Sequence, residues 1–201
     1  MTMKDIIESS LENSFTYTEY RAMVSDLLAQ GKSTGENQTE DYLNYSKLGN
    51  ARMKRLDKKF HLSEKTQELL QKSTKNTTWI VLTEGWCGDA AHALPVIHKI
   101  ADLAESVDLK IVLRDENEEL MNQFLTNGSK SIPKLVVLDT ETREVIDTWG
   151  PRPSIATKMV NDYKEAKGSL DPEFKEELQV WYNKDKGENI ENDMLKLLRV
   201  I

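Results

Sequence analysis

One cysteine, Cys87, supplies all the thiol chemistry of this 201-residue chain. A lone cysteine cannot close an internal disulfide, so no disulfide framework holds the fold together. Long apolar runs are missing too. The longest, "WIVL" at Trp79–Leu82 and "LVVL" at Leu135–Leu138, fall far short of the ~20 residues that cross a bilayer. The opening "MTMKDIIESS" has no apolar h-region, so no signal peptide is expected. Positive charge is in deficit: 27 Lys and Arg against 34 Asp and Glu leave a net charge of −7. Phosphates would be repelled, which argues against generic nucleic-acid binding. No phosphate loop, nucleotide fingerprint or metal-ligand cluster occurs, so no cofactor and no metal are implied. No fixed-period repeat or low-complexity segment stands out.

What is present describes a soluble domain. Hydrophobic residues make up 38% and charged residues 30% of the chain, and the length allows one domain with additions and a sizeable core. A reducing, cytoplasmic setting is the simplest expectation, and there Cys87 stays a thiol. The densest basic stretch, "RMKRLDKK" with Arg52, Lys54, Arg55, Lys58 and Lys59, reads as a solvated helix face rather than an anion patch.

Residues 1–75 read as a helical extension. Thr16-Tyr17-Thr18-Glu19 has the spacing of a capping box, followed at helical period by Tyr20, Met23, Val24, Leu27 and Leu28. A further helix is expected from about Glu40 to Lys58, with Tyr42, Tyr45, Leu48 and Leu56 as its apolar side, and a shorter one after Ser63. Near Thr77 the pattern changes. Over residues 76–168 strands and helices alternate as β-α-β-α-β-β-α, an α/β core. Two βαβ passages favour parallel pairing, and the short link Asp139–Arg143 predicts an antiparallel hairpin, giving a mixed sheet. Residues 169–201 read as C-terminal helices, the first started by Asp171-Pro172. Phe174, Leu178, Trp181 and Tyr182 form its stripe, read as core packing.

The stretch "LTEGWCGDAAHALP" (Leu82–Pro95) carries the chemistry. Cys87 follows a strand and Gly85 and precedes a helix, where unpaired N–H groups and the helix dipole stabilise a thiolate. Asp89 and Glu84 oppose that effect, because nearby carboxylates raise a thiol pKa. Asp89 also suits the first helical turn, where it complements the dipole. The two effects leave Cys87 a weaker nucleophile than a thiolate beside a cation. His92 and His98 lie at offsets that do not converge with Cys87 on one helix face. A surface position is expected for His92. Arg114 and Asp115, closing the second strand, are expected to form an ion pair or turn contact.

Trp86-Cys87-Gly88, a proline eight residues past the cysteine (Pro95) and Ile132-Pro133 ahead of an apolar strand resemble the thioredoxin family, as does the order of core elements. Closest in pattern are bacterial thioredoxin-like proteins with Trp-Cys-Gly-Asp, "LRDEN" (Leu113–Asn117) and "SIPKLVVLD" (Ser131–Asp139). The resemblance implies a thioredoxin fold with N- and C-terminal helical extensions. In it Cys87 matches the attacking cysteine and Trp86 shapes the adjoining surface. Pro95 kinks the active-site helix, and Pro133 is the cis-proline facing the sulfur. Ile132 offers its backbone to an extended peptide, and Gly150 completes the groove.

The departures are as informative. Ala90 replaces the resolving cysteine, Asp89 the residue between the two sulfurs, and Val81 a buried acid behind the site. Without a second thiolate, a mixed disulfide cannot be released internally. Two functions follow. In the first, Cys87 forms mixed disulfides with a protein disulfide or low-molecular-weight thiol, resolved by an external thiol. In the second, a redox-inactive module binds a protein or peptide in the groove beside Pro133. A role in dimerisation for the helical flanks stands third.

Overall fold

Side-chain caps start the helices of the first seventy residues in the computed structural model, which describes residues 2–200. Thr2 and Asp5 form a capping box for α1 (Met3–Glu12), and Thr16 with Glu19 forms the expected one for α2 (Tyr17–Ala29). Thr39 caps α3 (Glu40–Lys59), and Ser63 caps α4 (Glu64–Leu70) through the Thr66 N–H. Each such cap satisfies a backbone donor that the helix geometry leaves unpaired.

The buried side of α3 differs from the expected one. Ser46, Gly49, Asn50, Met53 and Leu56 face the protein, whereas Tyr45 and Leu48 are 56% and 53% exposed. Small residues decide this. A Cβ at Gly49 would lie 3.2 Å from the Gly85 carbonyl oxygen and 3.6 Å from the Ala91 Cβ, so α3 approaches too closely for larger side chains. The polar members of this face are paired: Ser46 with Ser33 at 2.6 Å, and Asn50 with Arg21 at 2.7 Å.

The β-branched run beginning at Thr77 forms β1 (Thr77–Thr83), buried at every position. After it come α5 (Gly88–Leu103), β2 (Val107–Leu113), α6 (Glu118–Gln123), β3 (Lys134–Asp139), β4 (Val145–Trp149) and α7 (Ser154–Lys167). Strand order is β2-β1-β3-β4, with β1 parallel to β2, β3 antiparallel to β1, and β3–β4 a hairpin. The expected β-α-β-α-β-β-α mixed sheet is therefore present, but the second βαβ passage does not yield a parallel strand. The link between β2 and β3, residues 114–133, holds the short α6 and does not travel back along the sheet. The chain therefore re-enters the sheet at the end it left, and β3 runs antiparallel. That same end holds the loops after β1 and β2 and the segment before β3, so Cys87, Arg114 and Ile132 meet there.

Both extensions grip this core. Phe15 exchanges backbone hydrogen bonds with Ile111 at the free side of β2, both at 2.8 Å. At the other end, α8 (Pro172–Asp185) begins with Asp171 accepting from the Phe174 N–H, as its Asp-Pro start predicts, and α9 (Glu188–Leu197) follows. Phe174, Leu178 and Tyr182 are buried on α8, and Trp181 packs partly buried beside them. Buried Asp193 of α9 accepts from Trp149 Nε1 at 3.0 Å and from the Ser154 N–H and hydroxyl, both at 2.8 Å, tying α9 to β4 and α7. Among the described residues, no helix is long and apolar enough to cross a membrane.

Candidate functional site

Cys87 is the N-cap residue of α5. Its Sγ accepts from the Ala90 N–H at 3.4 Å and donates to the Ile132 carbonyl oxygen at 3.3 Å. The position where a second sulfur would stand thus contributes only its backbone to the one that is present. Cys87 is 7% exposed, and burial pushes its thiol up to about 12. The Asp89 carboxylate adds to the rise, while the N–H groups of Ala90 and Asp89 and the Arg152 guanidinium oppose it. Desolvation outweighs the helix terminus here because a thiolate gains only part of its lost hydration from two amides. At neutral pH the sulfur is a protonated donor.

Asp89 is itself closely held. Its two oxygens take the Tyr182 hydroxyl at 2.9 Å and Arg152 Nη2 at 2.9 Å. Burial raises the carboxyl pKa, and Arg152 and Tyr182 work against that rise. Glu84, expected to act on the sulfur, is buried but engaged elsewhere. One of its oxygens accepts from the Asp115 N–H at 3.0 Å, and the other has no hydrogen-bond partner among the described residues. Burial lifts its pKa as well. Asp89 is therefore the carboxylate that matters at Cys87.

A cleft of about 550 Å³ opens over the sulfur. Trp86, Cys87, Gly88, Asp89 and Ile132 line it, so the structure brings these five sequence-derived candidates together. Trp86 forms its wall, edge-on to Tyr42 at 5.0 Å and beneath the Arg114 guanidinium at 4.9 Å. Arg114 makes the expected ion pair with Asp115 at 2.8 Å. The Ile132-Pro133 peptide is cis. Pro133 and Gly150 do not line this cleft. A Cβ at Gly150, whose φ is +108°, would fall 2.2 Å from the Pro133 carbonyl oxygen, so glycine is required for this approach. Ala90 and Pro95 are buried within α5, where Pro95 withholds a donor from the helix ladder.

Three residues that sequence reasoning assigned elsewhere belong to this neighbourhood. Arg52, placed on a solvated face, is half-buried, and its Nη1 lies 3.6 Å from where a Gly88 Cβ would be. His92, expected at the surface, is 3% exposed. It stacks on Tyr182 at 4.3 Å, and its Nε2 is 3.0 Å from Gln179 Oε1. Burial lowers its pKa to about 4. Tyr182, read as core, also reaches Asp89. The helical spacing of α8 held the signal for its buried face, but its docking against α5 is a long-range event. His98 stacks separately on Tyr17 at 4.1 Å, so the two histidines do not converge with the cysteine. Among the described residues, no group of three or more His, Cys, Asp or Glu is placed to hold a metal ion.

A mixed four-stranded sheet with a Trp-Cys-Gly turn leading into a helix, facing a cis X-Pro bond, defines the thioredoxin class of fold. The comparison with known families agrees. A family model described as thioredoxin matches residues 35–166, and the chain belongs to that family. No curated protein matches. Two crystal structures share the fold. One is a protein of unknown function from Pseudomonas aeruginosa: TM-score 0.59, 18% identity, covering 92% of this chain and 98% of that one. The other is an HIV epitope-scaffold: TM-score 0.57, 18% identity, covering 88% of this chain and 98% of that one.

Proposed function

We propose that this thioredoxin-family chain is a binding module. It holds an extended protein segment in the cleft beside Ile132, with Cys87 as a protonated thiol in the floor. The observation that carries this reading is the Sγ–H donation to the Ile132 carbonyl, in surroundings that push the thiol up to about 12. A nucleophilic cysteine works as its thiolate, and here the proton is retained by burial and by an acceptor. Ala90 removes the internal route of release as well. The Ile132 backbone at the cleft suits strand-like pairing with a partner.

The runner-up is a monothiol cycle, favoured by the Ala90 N–H aimed at Sγ at the start of α5. In it, a Cys87 thiolate attacks a substrate disulfide and expels one thiolate. An external thiolate then attacks the mixed disulfide at the substrate sulfur, freeing Cys87 and carrying that sulfur away in a new disulfide. Alkylation rate against pH separates the two readings, with Cys87→Ser as the companion variant. Binding predicts a midpoint well above the ordinary ~8.5 and partner affinity retained by Cys87→Ser. A midpoint below that value, with a mixed disulfide trapped under mild oxidation, overturns it in favour of the monothiol cycle.

A further inference from the structure

The charge of the cleft runs against that of the chain. The protein carries a net charge of −7, yet the cleft is lined by Arg52, Arg114, Lys130, Arg152 and Lys175 against the single carboxylate of Asp89. Three of these cations are already answered. Arg114 pairs with Asp115, Lys130 with Glu118, and Arg152 with Asp89. Arg52 and Lys175 have no carboxylate within ion-pairing distance among the described residues. Arg52 is also costly where it stands. Burial above all, and neighbouring Arg55, disfavour its charge, and the Asp89 carboxylate favours it only in part. A half-buried guanidinium without an ion-pair partner therefore persists at a cost in desolvation that a bound anion would offset. It lies against Gly88, next to the sulfur. Tyr45 and Leu48 add apolar surface to the same cleft while remaining more than half exposed.

We propose that the occupant of this cleft is an acidic, extended protein segment. It places carboxylates against Arg52 and Lys175 and an apolar side chain on Tyr45 and Leu48. This specifies the partner class of the binding reading above and rests on it. Complementarity of this kind selects the partner and speeds encounter, because the cleft is locally positive on a chain of net negative charge. Arg52 comes from α3 and Lys175 from α8, so the two helical extensions set the preference while the thioredoxin core supplies the floor.

The test uses the full chain and three fluorescein-labelled decapeptides. Glu and Asp alternate with Leu and Val in the first, and Gln and Asn replace the acids in the second. Lys replaces them in the third. Fluorescence anisotropy is read at low and physiological salt. The acidic peptide is expected to bind about tenfold more tightly than the neutral one and to weaken with salt. Arg52→Gln with Lys175→Gln is expected to remove that advantage, bringing acidic-peptide affinity down to that of the neutral peptide. Leu48→Ser, at an exposed position that does not threaten folding, is expected to weaken both. If acidic and neutral peptides bind equally and Leu48→Ser weakens both, the cleft binds peptides but the charge preference is overturned. If no peptide binds, or binding ignores Leu48→Ser and the double variant alike, the binding reading itself fails. Selective binding of the Lys peptide overturns the proposal outright.

Discussion

His92 makes the stability of this protein sensitive to acid, and the size of the effect follows from its burial. The ring is 3% exposed, lies parallel to Tyr182 at 4.3 Å and donates from Nε2 to Gln179. Protonation would place a charge in an apolar site beside Arg52 and Arg55, which is why its pKa falls to about 4. In the unfolded chain the value returns to ~6.5. A folded pKa below the unfolded one stabilises the folded state above the unfolded value, and the benefit is lost as pH falls towards the folded value. Between about pH 6.5 and pH 4 only the unfolded chain takes up the proton. Linkage then gives a loss of about 2 kcal/mol at pH 5 and about 3 kcal/mol near pH 4, relative to neutral solution.

His92→Phe keeps the stacking surface and removes the titration. Urea unfolding followed by circular dichroism at pH 7 and pH 5 provides the assay. The wild type is expected to lose about 2 kcal/mol more than His92→Phe over this interval. Carboxylates that titrate in the same range are common to both proteins and cancel in the difference. Equal losses would refute the reasoning, because they would mean that His92 protonates in the folded state at no cost. The effect reaches the site: Tyr182, which His92 supports, also holds Asp89 at 2.9 Å.

Three further outcomes follow from the same contacts. Asp89→Asn removes the negative charge that helps raise the Cys87 thiol pKa, two residues away along the helix start, and leaves Arg152 unopposed. The alkylation midpoint of Cys87 should therefore fall by about 1–2 pH units, and an unchanged midpoint would show that burial alone sets it. Gly150→Ala drives a methyl group to 2.2 Å from the Pro133 carbonyl oxygen at a positive φ, so urea unfolding should show a loss of about 3 kcal/mol or more. Asp193→Ala strands the buried Trp149 Nε1–H and leaves the Ser154 N–H without its acceptor, at a cost of about 3 kcal/mol, whereas Asp193→Asn retains an acceptor and should lose less.

The sequence alone carried what depends on neighbours along the chain. Thr16 with Glu19, Ser63, and Asp171 with Pro172 announce helix starts because a cap bonds to a backbone donor three residues away. The run from Thr77 and the tight link Asp139–Arg143 announce strands and a hairpin for similar reasons, and the Trp-Cys-Gly stretch with Ile132-Pro133 identified the family. What depends on distant residues was decided only in three dimensions. The second βαβ passage does not return along the sheet, so β3 enters beside β1 and pairs with it antiparallel. The buried face of α3 was set by how closely Gly49 meets Gly85, and polarity alone had pointed to Tyr45 and Leu48. Arg52 moved from a presumed solvated face to the edge of the site, and His92 from the surface to a stack against Tyr182. The character of Cys87 changed most. Its place at a helix start argued for a thiolate, but a pKa is fixed by everything within several ångströms. The solvent excluded by α3, α8 and the Ile132 segment removes more hydration from a thiolate than the helix terminus returns.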